Sequence, residues 1–363
     1  MRLLPLLFLA PFAAAAEDRP VMRVHFINVG QGAATLVELP CGAMLIDTGG
    51  EMSREFDSDA ALSAYLAAFF ARRADLHGTL DLLWLTHPHI DHVHGVPLVL
   101  GAYAVRNIVD NGQPGDQEDV VPIIAGLREY EAAHPEVGAV TVSTHDFATG
   151  GAGLTGAVID PFGACKGADP AVSALWGRAT ADPGWGEDDY GKRRFDNANN
   201  HSAAVRVDLG ESSLVVTGDL EAVAIRDLLA SRSPAALDAD IYEVGHHGSA
   251  NGTTAELLAA VSPEWAVMEV GPAERKVSWS AWAYGHPRTQ AVELLEAGVS
   301  GTRAPVQEPV GSGVRAFVTE DIDRAIYATG WDGALVLEAD AAGAIRLVAP
   351  DVVQPAHPEL TPQ

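Results

Sequence analysis

The apolar run Leu82-Leu83-Trp84-Leu85 passes directly into Thr86-His87-Pro88-His89-Ile90-Asp91-His92-Val93-His94-Gly95. A short apolar run of this kind reads as a strand buried on both faces. The polar residues leave the strand's end together, so His87, His89, Asp91 and His92 reach one point with the spacing H-x-H-x-D-H. Imidazole and carboxylate at that density are metal-ligand chemistry. The chain holds 13 histidines, and four of them stand between positions 87 and 94. That clustering argues against a polar loop of chance composition. One loop cannot close a metal site, so the fold has to bring distant ligands to this strand's end.

The surrounding pattern mixes strands and helices. Residues 21–29, 33–39 and 43–46 are predicted strands, the first two separated by the turn Gly30-Gln31-Gly32. Leu62, Tyr65, Leu66, Phe69 and Phe70 recur at helical spacing, with Asp57 or Ser58 available as the cap. Residues 107–110, 137–142 and 154–160 read as strands, and 117–133 as a helix. Residues 161–200 are rich in Gly, Pro, Asp and Trp and read as a long inserted loop, with a short helix near 171–176. After it come predicted strands at 203–209, 214–217, 241–244 and 265–270, and helices at 220–230 and 254–260. Pro287 suits the first turn of a helix running to Ala297. Residues 313–319, 324–328, 334–338 and 345–348 close the chain as strands. Each later candidate ligand stands at a strand end: His201 opens one, Asp219 closes the next, and His246 and His247 follow 241–244. In a layered α/β protein such ends converge on one edge.

The formal charge is −26, from 23 basic and 49 acidic residues. This opposes holding a polyanion by bulk electrostatics. It leaves room for a small phosphorylated substrate, because bound metals add local positive charge. Residues 1–16 have a positive start, an apolar core and a small-residue end, the pattern of a secretory signal cleaved after Ala16. The expectation is a periplasmic or secreted protein. No later run of 18 apolar residues suggests a membrane span. The two cysteines, Cys41 and Cys165, would meet oxidising conditions after export. Sequence leaves their pairing open, as it does the oligomeric state.

Seven short blocks carry a family resemblance. They are 26–32 (Phe-Ile-Asn-Val-Gly-Gln-Gly), 45–49 (Leu-Ile-Asp-Thr-Gly), 86–89 (Thr-His-Pro-His), 199–202 (Asn-Asn-His-Ser), 217–219 (Thr-Gly-Asp), 244–249 (Val-Gly-His-His-Gly-Ser) and 284–287 (Tyr-Gly-His-Pro). Their types and order resemble the metallo-β-lactamase superfamily, and within it the hydrolase domain of ComEC-type competence proteins. The resemblance implies an α/β fold, a four-layered αββα sandwich, as a single domain over 17–363. It implies two divalent ions, with zinc expected and manganese or iron compatible. His87, His89 and His201 would hold one ion. Asp91, His92 and either His246 or His247 would hold the other, with His246 preferred because it comes first off its strand. Asp219 would bridge, a hydroxide between the ions would be the nucleophile, and Asp91 would orient it or move its proton. Two departures stand out: His94 occupies a position where glycine is common, and the segment before Asn199 is long.

The remaining residues have weaker signals. Asp47 is read as orienting a ligand, His286 as substrate ligand or proton donor to the leaving group, and His94 and Asn200 as substrate contacts. Trp279 and Trp282 read as packing, and Arg193-Arg194 as a solvated loop, with Arg72-Arg73 the other compact basic cluster. The functional expectation is an exported binuclear hydrolase of phosphoester or phosphodiester bonds. Its competitors are lactone, thioester or β-lactam opening, and a nuclease acting on extracellular DNA. A non-catalytic binding protein is disfavoured, since every ligand position is filled.

Overall fold

Two sheets lie face to face in the structure, a computed structural model that describes residues 20–349 except 52, 164, 166–168 and 180–196. The expected signal at 1–16, the pair Arg193-Arg194 and His357 lie outside the described residues. The first sheet has eight strands, in spatial order Ile345–Val348, Leu335–Asp340, Val21–Phe26, Thr35–Leu39, Gly42–Ile46, Leu82–Trp84, Asn107–Asp110 and Gly138–Thr141. The second has six, in the order Ile326–Ala328, Trp265–Met268, Ile241–Glu243, Ser212–Val216, Val205–Leu209 and Ala171–Ala174.

Side-chain alternation explains the layers. Along Gly42–Ile46 and Leu82–Trp84, Met44, Ile46, Leu82 and Trp84 face the second sheet. Their neighbours Leu45 and Leu83 face outward onto Leu62, Tyr65, Leu66 and Phe69 of the helix Ser58–Arg72. Successive strand residues point to opposite faces, so a strand covered on both sides must be apolar throughout. Asp57 caps that helix by accepting from Ala60 N at 2.9 Å. On the far side, Ala222–Ser231, Ala255–Val261 and Thr289–Gly298 cover the six-stranded sheet through Ile225, Leu228, Leu258 and Leu295. The order is helices, sheet, sheet, helices. Trp84, fully buried between the sheets, donates Nε1–H to Ala203 O at 2.7 Å and ties one sheet to the other.

Several elements differ from expectation. Residues 154–160 form no strand; Leu154 makes one isolated bridge to Ala174. The short helix expected near 171–176 is instead the edge strand Ala171–Ala174, paired with Val205–Leu209. Val172 and Ala174 are buried while Ala171 is exposed, a period of two that a small-residue segment conceals. The strand Thr302–Gly313, half of a long hairpin with Ala316–Arg324, went unread because Pro305 and Pro309 interrupt it. Pro287 precedes the cap Arg288 and is not in the first turn. Cys41 and Cys165 form a disulfide with Cα atoms 5.3 Å apart. The Arg72-Arg73 pair meets a carboxylate. Arg72 Nη1 and Arg73 Nη1 each donate to Glu38 Oε1 at 2.9 Å, and that carboxylate is buried.

Candidate metal centre

The parallel strands decide where the site stands. Gly42–Ile46 runs parallel to Leu82–Trp84, and Ser212–Val216, Ile241–Glu243 and Trp265–Met268 are parallel in the other sheet. Their C-terminal ends release Asp47, His87, Asp219, His247 and Glu269 along one edge. The loop after Trp84 is clamped to the loop after Ile46 by Thr48 N–H to His92 O at 2.8 Å, and to the turn before Thr35–Leu39 by Ala33 N–H to Asp91 O at 3.0 Å. Gly50 permits this contact, since a Cβ there would lie 2.8 Å from Asp91 Cα.

Two groups of ligand atoms result, His87 with His89 and Asp219, and Asp91 with His92 and His247. Hydrogen bonds on the far side of each ring set its tautomer. His92 Nδ1 donates to Asp47 Oδ2 at 2.7 Å, and His247 Nδ1 donates to Glu269 O at 2.7 Å. Thr86 Oγ1 spends its proton on Asp47 Oδ2 and Ser202 Oγ spends its own on Asn199 O. Both hydroxyls, 3.1 and 3.3 Å from His87 Nδ1, can therefore only accept from it. All three rings thus turn an Nε2 lone pair toward the centre.

That convergence fits a cation. His92 Nε2 and His247 Nε2 are 3.2 Å apart, His247 Nε2 is 3.3 Å from Asp91 Oδ2, and His92 Nε2 is 3.2 Å from Asp219 Oδ1. Acceptors this close need positive charge between them, and nitrogen with carboxylate oxygen is a donor set that suits zinc, manganese or iron. Without metal, protons do this work. Burial opposes charging His92, yet the Asp219 and Asp47 carboxylates raise its pKa well above the usual value. Asp91 is likewise held low by His247 and His92 against its burial.

Asp47 is the organiser of this arrangement. It sits in the left-handed region at φ 56° and also accepts from Thr86 N at 2.8 Å. Asp47→Ala, which leaves His92 free to turn, is expected to weaken metal affinity roughly 10–100-fold. Competition with a chromophoric chelator measures this; unchanged affinity would remove Asp47 from the account.

Other expected residues land elsewhere. His246 is not in either group; it lines the cavity with Nε2 3.7 Å from Asp219 Oδ2. Both His246 and His247 have φ near 50°, and this double left-handed turn swings the second histidine, not the first, to the centre. His201 is outside the two groups, and its Nδ1 accepts from Ala179 N at 3.0 Å. A neutral imidazole has one in-plane lone pair. His201 could ligate only by giving up that contact. The Asn200 side chain is fully buried and accepts from Glu221 N at 3.2 Å. Its neighbour Asn199 lines the cavity instead, because the 3-10 turn Ala198–His201 rotates the two side chains apart. His94 does not line the cavity. It points to the helix Ser58–Arg72, with Nδ1 3.1 Å from Asp59 Oδ1 but out of line for a hydrogen bond.

His286 does reach the cavity, which has a volume of about 360 Å³. Burial, and then His246 and His247, push its pKa well below the usual value. Gln31 Nε2 is 3.5 Å from its Nδ1, leaving the ring N–H on Nε2. A neutral His286 can donate a hydrogen bond from Nε2, which suits a substrate contact, one of the two roles expected for it. The sequence reading missed Gln31, Gln117, Asp119, Asn199 and Tyr284 as lining residues and read Trp279, also in the lining, as packing. Tyr284 and Gln31 fall inside the family-like blocks, which was the available signal; Gln117 and Asp119 carried none.

Beneath the centre lies a second carboxylate pair. Thr35 Oγ1 is 2.7 Å from Glu243 Oε2 and 3.1 Å from Glu269 Oε2, both buried. Burial pushes Glu243 up to about 7, and burial with the charge of Glu243 also holds Glu269 well above the usual carboxylate range. Between the unfolded value near 4.5 and about 7, the folded chain keeps a proton that the unfolded chain has lost. Stability of the metal-free protein is therefore expected to fall as pH rises through that window. Glu243→Gln removes this contribution, up to about 1.4 kcal/mol per pH unit for one carboxyl. Urea unfolding of both proteins from pH 5 to 8 compares the slopes; parallel profiles would show that the pair does not titrate this way.

The comparisons with known proteins match this geometry. The family model described as the Metallo-beta-lactamase superfamily matches residues 27–165. The chain carries a metallo-beta-lactamase domain. It is similar to ComE operon protein 3 of Bacillus subtilis, 25% identical over 300 residues, which are 80% of this chain and 32% of that protein. It is also similar to Recombination protein 2 of Haemophilus influenzae, 24% identical over 269 residues, covering 74% of this chain and 26% of that one. The chain thus spans about a quarter to a third of the length of these curated relatives. Among solved structures, the metallo-beta-lactamase fold protein YhfI from Bacillus subtilis aligns with a TM-score of 0.41 at 13% identity, over 78% of this chain and 95% of that one. The two-sheet sandwich is the metallo-beta-lactamase fold, and no described helix is long and apolar enough to cross a membrane.

Proposed function

We propose that this metallo-beta-lactamase domain is an exported binuclear hydrolase of phosphoester or phosphodiester bonds in small substrates. The observation that carries the reading is the pair of ligand groups, both within reach of Asp219, that open into one cavity through His89, Asp91 and His247. His87, His89 and Asp219 would hold one ion and Asp91, His92 and His247 the other, with zinc the expected metal. When bound, such ions supply Lewis-acid polarisation of the phosphoryl oxygen and a water of lowered pKa. The protein's own groups do the rest. Asp47, Thr86 and Ser202 hold the imidazoles in one orientation. Asp91, held ionised at the cavity wall, is placed to accept a proton, and neutral His286 to donate a hydrogen bond to a substrate oxygen.

The preference for phosphate esters draws on a relative named for recombination. The charge of −26 favours a small ester over a nucleic-acid strand. Export is supported by the Cys41–Cys165 disulfide, a bond that persists in oxidising compartments. The test is turnover of bis-(p-nitrophenyl) phosphate, nitrocefin, a lactone panel and single-stranded DNA by metal-loaded protein and by His89→Ala. Phosphodiester turnover lost in the variant is the expected result. Lactone opening without phosphodiester turnover would overturn the reading, and degradation of DNA lost in the variant would replace the small ester with a nucleic acid.

A further inference from the structure

We infer that Trp279 and Tyr284 form a wall that receives a planar aromatic group of the substrate beside the reacting ester. The inference rests on the ester-hydrolase reading above and names its substrate class, a phosphate ester bearing a nucleobase or an aryl ring. Both residues line the cavity that holds His89, Asp91, His247 and His286. A chain of rings leads outward from the metal centre. His286 stacks near His247 at 6.5 Å, Tyr284 stacks on His286 at 5.6 Å and 26°, and Trp279 meets Tyr284 edge-on at 6.3 Å and 63°. The chain ends on an indole that is 60% exposed.

Packing does not account for that indole. Its backbone has φ 60°, in the left-handed region that a bulky residue enters only at a cost. The loop around it is nevertheless held. Arg275 Nη1 donates to the buried Glu51 Oε2 at 2.5 Å, and its guanidinium lies 4.3 Å over Phe56. Ser280, buried, donates Oγ–H toward Arg275 O and Val277 O, both at 2.8 Å. Anchors at 275 and 280 present the residue between them. A strained, exposed tryptophan on an anchored loop, at the mouth of the catalytic cavity, is the arrangement of a ligand contact. A cavity of about 360 Å³ has room for one ring with its phosphoryl group, at the low end of small-molecule sites. Stacking on an aromatic face is tolerant of which ring is offered.

The test is calorimetric binding to metal-loaded protein of adenosine 5′-monophosphate against ribose 5-phosphate, and of phenyl phosphate against methyl phosphate. Wild type, Trp279→Gly and Trp279→Phe are compared, with the melting temperature of each. The ring-bearing ligand is expected to bind about tenfold tighter. Trp279→Gly should lose that advantage without a lower melting temperature, because glycine relieves the positive φ, and Trp279→Phe should keep most of it. A gain from adenine alone assigns a nucleobase, and a gain from both rings assigns aromatic esters generally. Equal binding with and without the ring, or an advantage that survives Trp279→Gly, would overturn the inference. If no phosphate ester binds or turns over, the function above fails instead. The wall is then read from hydrolysis of phenylacetyl- against butanoyl-homoserine lactone in the same variants, where no difference overturns it.

Discussion

Asp219→Ala is expected to lower phosphodiester turnover by roughly 10³-fold or more and to leave the protein with one bound ion or none. Among the described residues, Asp219 reaches both ligand groups: Oδ1 is 3.2 Å from His92, and Oδ2 is 3.8 Å from His87 and 3.7 Å from His247. Its carboxylate is held ionised despite burial, by His92, His246 and His247. Removing it deletes a shared ligand and leaves imidazole acceptors facing one another. In metal-free protein the same change takes a buried partner from His92, so apo stability should fall as well. The signature is therefore differential: added zinc should raise the melting temperature of wild type and not of the variant, since only a bound ion shifts the folding equilibrium. Metal content by mass spectrometry completes the test. A variant that keeps two ions and full turnover would mean that Asp219 does not bridge.

The Cys41–Cys165 disulfide is expected to be the other large effect. It closes a loop with a sequence separation of 124, from the turn before Gly42–Ile46 to the start of the insertion. Constraining an unfolded chain over that length corresponds to about 4–5 kcal/mol in a chain-entropy estimate. Cys41 is exposed, so reductant has access. Reduction, or the double variant Cys41→Ser with Cys165→Ser, should lower the urea midpoint accordingly. An unmoved midpoint would show that the bond constrains nothing in the unfolded chain. Both sulfurs lie well away in sequence from every candidate ligand, so the metal centre of the reduced protein should still bind metal while folded.

The strands nearest the centre were legible because burial on both faces leaves one solution, a continuous apolar run. Leu82–Trp84 is such a case. The helix Ser58–Arg72 was legible from its stripe of Leu62, Tyr65, Leu66, Phe69 and Phe70. The poorly read parts lack that signal. Ala171–Ala174 has side chains too small to show a period, and Thr302–Gly313 carries two prolines on a largely exposed hairpin.

The site divides along the same line. Chemistry within one loop was readable: His87, His89, Asp91 and His92 lie within one six-residue stretch and meet because one strand end delivers them. What needed three dimensions was choice among neighbours. Between His246 and His247, and between Asn199 and Asn200, sequence offers the same chemistry twice. Backbone dihedrals of one short turn decide which side chain faces the cavity. His94 shows the same limit, being a histidine within the ligand loop that the helical turn directs away to Asp59. By itself the sequence determined the ligand types, their order and the strand ends that carry them, because composition and periodicity are local. Only the tertiary structure decided which rings converge, which tautomer each holds and what stands opposite, because those depend on hydrogen bonds from residues as distant as Asp47 to His92 and Glu269 to His247.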